Sequence, residues 1–164
     1  MNISLIGMMG AGKSTAGNLL AHEMNRPFFD VDKVIEMKAG MKIPEIFSRD
    51  GSRKFRSCER KIIAELYEKN NKAVISPGGG AVISPRNRKI LKQSGPVFYL
   101  HASVEVLLER LDVDNRPLLL NADNAEKKMK SLLKEREFLY EMGIRVNTEG
   151  LTPKEVVREI ILQI

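Results

Sequence analysis

NISLIGMMGAGKST, residues Asn2 to Thr15, joins an apolar run to a glycine-rich turn and then to a helix-forming segment. Gly7, Gly12, Lys13 and Ser14 fall in the G-x-x-x-x-G-K-S/T spacing of a P-loop, whose backbone N–H groups and following helix N-terminus wrap nucleotide phosphates. Glycine at 7 and 12 admits positive φ and close approach of backbone to phosphate. Lys13 can neutralise β- and γ-phosphate oxygens, and the Ser14 hydroxyl can ligate Mg²⁺. A bare glycine-rich turn with an exposed lysine is the competing reading. The apolar strand and the helix flanking the motif, where its mechanism needs them, argue against it.

At 164 residues the chain has the length of one compact domain. A hydrophobic fraction of 43% with 29% charged residues suits a soluble globular protein, and no apolar run approaches a bilayer span. The N-terminus enters the first strand directly, without a leader, so a cytoplasmic location is expected. The one cysteine, Cys58, cannot form an internal disulfide, and two histidines exclude a Cys/His metal cluster. The net charge of +6 raises nucleic acid as a partner, yet lysines and arginines are scattered among acids and aromatics make up only 5%. The excess is read instead as a field favouring small anions. The expected partners are therefore small molecules, with no nucleic acid and no membrane, and the expected state is a monomer.

Downstream, Ser14 to Met24 continues as a helix, and Pro27 to Asp32 (PFFDVD) forms a short apolar strand ending in two acids. At the carboxyl edge of an open α/β sheet, Asp30 and Asp32 can lie beside the phosphates. One can orient Mg²⁺ and the other accept a hydrogen bond from a hydroxyl, unless one of them is only the N-cap of the next helix. Lys33 to Asn70 reads as helical, with breaks at Gly40, Pro44 and Gly51, and makes a plausible substrate-holding insert. Within it Arg56 and Glu59 stand three residues apart on one face, so Arg56 either clamps a carboxylate or pairs with Glu59 at the surface. Cys58 packs rather than reacts, because no base stands beside it in sequence.

A third strand, Lys72 to Ile75, runs into Gly78-Gly79-Gly80. Three consecutive glycines cost chain entropy, which suits a backbone approaching a ligand, although a flexible loop has the same composition. Ser84-Pro85 starts a helix, Val97 to Leu100 a fourth strand, and Ser103 to Leu111 a further helix. Asp112 to Asn121, with Arg116 at its centre and three leucines after it, reads as a lid that puts positive charge on a transferring phosphoryl; Arg116 could equally face solvent. Arg136, near the end of a helix from Asn124 to Tyr140, is either a second anion contact or a charge compensating the helix dipole. Gly143 to Asn147 gives a fifth strand, and Thr152-Pro153 opens an amphipathic terminal helix. Alternating strands and helices argue for a three-layer α/β domain around a mainly parallel, doubly wound sheet.

GMMGAGKST, FFDVD, FRSCE, PGGG, NRPLLL and REFLY occur in the order and spacing of the shikimate kinases, and the resemblance spans essentially the whole chain. It implies an α/β/α P-loop kinase fold related to the nucleoside monophosphate kinases, with a five-stranded parallel sheet in the order 2-3-1-4-5. It further implies a single domain over residues 1–164, a substrate-binding insert over about 32–70 and a lid over about 112–124. The activity implied is phosphorylation of shikimate at its 3-hydroxyl by ATP with Mg²⁺. By the same resemblance, Gly10, Ala11, Gly12, Lys13, Ser14 and Thr15 would hold ATP phosphates, and Ser14 and Asp30 would serve Mg²⁺. Lys13 and Arg116 would stabilise the transferring phosphoryl, and Arg110, placed before the lid, would stack on adenine. Asp32, Arg56, Gly78, Gly79, Gly80 and Arg136 would hold shikimate, with Asp32 on the reacting hydroxyl. Two arginines suit a carboxylate and an aspartate suits a hydroxyl. The sequence departs from the family pattern at Phe138, where Pro is frequent, at Asn147, where Asp is frequent, and at Glu149 to Thr152, which has no basic residue. A kinase for gluconate or a nucleoside, and a nucleotide-binding module without catalysis, are the competing readings.

Overall fold

The computed structural model describes residues 1–111 and 124–164. Strand β1 (Ile3–Ile6) is buried along its whole length, as a strand covered on both faces must be. It pairs in parallel with β3 (Val74–Ser76) on one side and β4 (Val97–His101) on the other. β2 (Phe28–Asp30) and β5 (Ile144–Asn147) extend the sheet in parallel to the order β2-β3-β1-β4-β5. The order expected from the resemblance is the order found. The chain's direction of travel across the sheet reverses about β1, so the carboxyl ends of β1 and β3 open a crevice at the switch point where ligands bind in such sheets.

Helix α1 (Lys13–Glu23) follows β1 through the P-loop. It lies so close to the sheet that a Cβ on Gly17 would overlap the Phe28 ring. α2 (Val31–Ala39) and α3 (Ile43–Lys69) form the helical insert between β2 and β3. Gly40 does end α2, in a left-handed conformation (φ 66°), but Pro44 opens α3 rather than breaking it, since its missing N–H lies in the first turn. Gly51 is the expected break: its backbone is non-helical (φ 75°, ψ 166°), and two helical segments of α3 meet there across a kink. β3 lies one to two residues later than the sequence suggests, and the glycine triplet leads into a single 3-10 turn (Ala81–Ile83) that composition did not announce. α4 (Pro85–Ser94) is capped by Ser84.

α5 (Val104–Glu109) and α6 (Ala125–Tyr140) flank the undescribed residues, and α7 (Pro153–Ile161) closes the chain. A reciprocal cap starts α7: the Thr152 hydroxyl accepts from the Glu155 N–H and the Glu155 carboxylate accepts from the Thr152 N–H. Val156, Val157 and Ile160 then face the core. Among the described residues, no helix is long and apolar enough to cross a membrane.

Candidate functional site: two clefts with one wall

Gly12 caps α1 in a left-handed conformation (φ 87°) and offers no side chain to the first-turn N–H groups. Those donors and the positive end of the helix dipole therefore face whatever anion enters. Upstream, a Cβ on Gly7 would overlap the Leu100 carbonyl, so only glycine lets the loop pass the end of β4. Lys13 is only 9% exposed, and its Nζ donates to the Met8 carbonyl at 2.7 Å, which holds the ammonium across the loop.

A cleft of about 370 Å³ opens over this loop, within the range of nucleotide-sized sites. Gly10 through Thr15 line its floor, and Arg110, Thr148 and Pro153 stand on its far side. Arg110 is fixed there by bonds to the Thr148 hydroxyl (3.0 Å) and carbonyl (2.9 Å). A planar guanidinium held by two such bonds presents a flat face to a ring.

The acid pair divides differently from its sequence reading. β2 stops at Asp30, and Asp32 lies in the first turn of α2 rather than at a strand end. Asp30 is indeed a cap: its Oδ1 accepts from the Asp32 N–H (3.1 Å) and the Lys33 N–H (3.4 Å). Its other oxygen, Oδ2, accepts from the Ser14 hydroxyl at 2.5 Å. One carboxylate thus anchors the insert and meets the P-loop serine. Asp32 projects from the helix turn that Asp30 anchors, beside Gly78.

A second cleft of about 540 Å³ lies between the P-loop and the insert. Arg56, Glu59, Phe47 and Phe55 line it from α3, Gly79 and Gly80 from the turn after β3, and Arg136 from α6. Arg56 donates to Glu59 at 2.6 Å, but the pair is no surface ornament, because Glu59 is 2% exposed. A Cβ on Gly80 would overlap the Arg56 guanidinium, so this glycine is the space the arginine occupies. Gly78 (φ 89°) lines neither cleft and lies behind Asp32. Arg136 is 5% exposed, and its Nε is buried without a hydrogen-bond partner among the described residues. A guanidinium in that state favours an incoming anionic acceptor, and a role as a solvated dipole-compensating charge is ruled out.

Met9, Ser14, Asp30, Asp32 and Gly79 line both clefts. A group carried by one ligand can therefore reach the other without leaving the protein. Among the described residues, the expected site residues all gather here, with Gly78 just behind; Arg116 and the expected lid lie outside the described residues. Glu59, Thr148 and Tyr140 are additions. Glu59 and Tyr140 had a signal in their spacing from Arg56 and Arg136, whereas nothing in the sequence singles out Thr148. Cys58 is half-buried against the core, as packing requires.

Burial pushes the Glu59 carboxyl above its usual 4.5, with Arg56 opposing and Asp32 adding to the shift. The folded state then holds a proton that the unfolded state has released, so stability falls as pH rises above 4.5. Chemical denaturation should show wild-type protein losing stability relative to Glu59→Gln over that rise. A difference independent of pH would place the carboxyl in water.

The sequence profile described as shikimate kinase matches residues 9–164. A shikimate kinase of Thermodesulfovibrio yellowstonii is 46% identical over 162 residues, covering 98% of this chain and 92% of that one. One from Pseudomonas fluorescens is 47% identical over 163 residues, covering 98% and 94%. Among solved structures, the shikimate kinase of Acinetobacter baumannii in complex with shikimate superposes with a TM-score of 0.93 at 40% identity, covering 99% of this chain and 91% of that one.

Proposed function

Since the chain belongs to the shikimate kinase family, we propose that its two adjoining clefts divide the family's reaction between them: ATP over the P-loop, shikimate against the insert. The activity is transfer of the γ-phosphoryl of ATP to the 3-hydroxyl of shikimate, giving shikimate 3-phosphate and ADP. The observation that carries the division is the shared wall, with phosphate-binding N–H groups on one side and Arg56 and Arg136 on the other.

On this reading the first-turn N–H groups of α1 and Lys13 hold the β- and γ-phosphates, while Arg110 and Pro153 flank the adenine. Arg56 and Arg136 take the shikimate carboxylate, and Asp32 accepts a hydrogen bond from the 3-hydroxyl. Transfer through a loose transition state asks for alignment and charge neutralisation more than for a strong base. The buried, tethered Lys13 and the wall position of Asp32 answer that demand. Arg116, known here from sequence alone, would add charge to the phosphoryl.

Magnesium fits the residues present. Ser14 Oγ and Asp30 Oδ2 are hard oxygen donors in contact at the phosphate end of the cleft. Among the described residues no three His, Cys, Asp or Glu side chains gather as a metal cage. That pattern suits Mg²⁺, which keeps waters and substrate oxygens in its shell and needs one or two protein ligands. When bound, the ion would neutralise phosphate charge; Ser14 and Asp30 would hold it. A monomer in the cytoplasm completes the reading.

Purified protein with Mg-ATP should release ADP on addition of shikimate, and far less with gluconate or nucleosides, in a coupled ADP assay. Equal ADP release without shikimate, or none with it, would sink the assignment.

A further inference from the structure

The glycine turn at the wall between the clefts contains two Gly–Gly peptides, and the second of them, Gly79–Gly80, is the one whose carbonyl Tyr140 holds. The Gly79–Gly80 peptide has glycine on both sides, so neither flanking rotation meets a Cβ. Something must hold it. The Gly79 carbonyl accepts a hydrogen bond of 2.5 Å from the Tyr140 hydroxyl, a side chain with no solvent exposure. The same hydroxyl lies 3.3 Å from Met8 Sδ. It has a single proton, and the carbonyl is much the better acceptor, so the bond goes to Gly79 and the sulfur is a packing neighbour.

The tyrosine is itself immobilised. Its ring stacks on Tyr99 of β4, with centroids 5.1 Å apart and planes at 22°. Burial pushes its hydroxyl up to about 12, with Arg136 opposing both as a charge and as a hydrogen-bond partner, so it stays a donor at all working pH. Tyr140 also stands one helical turn after Arg136 on α6 and touches Met8, whose carbonyl holds Lys13. Its hydroxyl is thus the point where α6, the P-loop and the glycine turn meet.

We propose that Tyr140 is a positioning residue of the phosphoryl-transfer site: by holding the Gly79 carbonyl it fixes the Gly79–Gly80 peptide against rotation and so sets the wall on which the acceptor docks. In a trans peptide the C=O and the following N–H point in opposite directions. With the carbonyl tied to Tyr140, the Gly80 N–H points away from it. Turned over, the peptide would lose the Tyr140 bond and present a carbonyl where it now presents the Gly80 N–H. The cost would fall on the acceptor side, where Gly80 lines the second cleft with Arg56.

This inference rests on the shikimate kinase reading, and the test separates the two. Wild-type enzyme is first assayed with shikimate and ATP; no turnover ends the functional reading itself. Tyr140→Phe, which removes only the hydroxyl, should then lower kcat/KM for shikimate about tenfold, the scale of one buried hydrogen bond. The affinity for ATP alone should be unchanged. Nitrogen-15 relaxation dispersion should detect new exchange at the Gly79 and Gly80 amides. Incorporating para-aminophenylalanine at position 140, which returns an N–H donor, should restore the kinetics. Wild-type constants in the Phe protein would overturn the proposal. So would a loss, for shikimate alone or for both substrates, with no exchange at the glycines, which marks a role through Arg136 or through the fold. If the Phe protein does not fold, the hydroxyl serves the fold rather than the position of the peptide, and the proposal is overturned.

Discussion

Lys13→Ala should lower kcat about 10³-fold, the scale seen when one preorganised donor to a transition-state oxygen is removed. By transition-state arithmetic that is about 4 kcal/mol. Three features of the structure make the effect large. The ammonium is almost wholly buried, so its field is little screened by water. Its bond to the Met8 carbonyl holds it in place before any ligand arrives, so little reorganisation is spent during transfer. The uncapped first turn of α1 supplies N–H donors that would still bind phosphate in its absence, so ATP affinity should fall much less than the rate. Single-turnover quench measurements at saturating ATP and shikimate read the transfer step directly. A transfer rate within a few-fold of wild type, or a loss confined to ATP binding, would remove Lys13 from the chemistry. The mutant should still fold, since the neighbouring loop conformation is set by glycines.

Arg136→Ala should weaken shikimate binding about 100-fold, or about 2.7 kcal/mol, within the range for truncating one partner of a buried charge pair. ATP affinity should be unchanged. Burial is the cause: an arginine 5% exposed whose Nε has no partner among the described residues has lost its hydration without recovering all of its hydrogen bonds there. An incoming carboxylate restores them, and the restored bonds are the binding energy. Arg136→Lys should not rescue, because an ammonium cannot reproduce the planar fork. Calorimetric titration with shikimate, against a parallel titration with ATP, checks both halves. Unchanged shikimate affinity would leave the buried guanidinium as a structural charge.

The fold was legible where burial leaves a direct trace in composition. A parallel strand covered on both faces must be largely apolar, and ISLI and VFYL are, the buried Ser4 being bonded to the Tyr67 hydroxyl; a phosphate loop must be glycine-rich, and GMMGAGKS is. Boundaries were less legible where one residue serves two elements. Asp30 ends β2 and caps α2 at once, so the acid pair looked like a longer strand. Gly51 read as a break and is one, because φ 75° with ψ 166° lies outside the helical region and glycine adopts it freely; the two segments of α3 meet there across a kink. The candidate site was visible as residue types, and its depth was not. Spacing alone put Arg56 beside Glu59, but only the approach of Gly80 from a distant part of the chain turns that pair into the floor of a cleft. Arg136 carried no mark of burial in its own helix, which is otherwise rich in charge. Thr148 had no local signal at all, because its partner Arg110 reaches it across the sheet edge.

The shared wall has a thermodynamic corollary. Asp32 and Gly79 line both clefts, so on the proposed division any adjustment one ligand requires of them is presented to the other already made or already opposed. Whatever factor ATP imposes on the affinity for the acceptor, the acceptor must impose on the affinity for ATP, because the two orders of addition close one cycle. Measuring either ligand's affinity with and without the other therefore gives a coupling free energy that belongs to the wall itself.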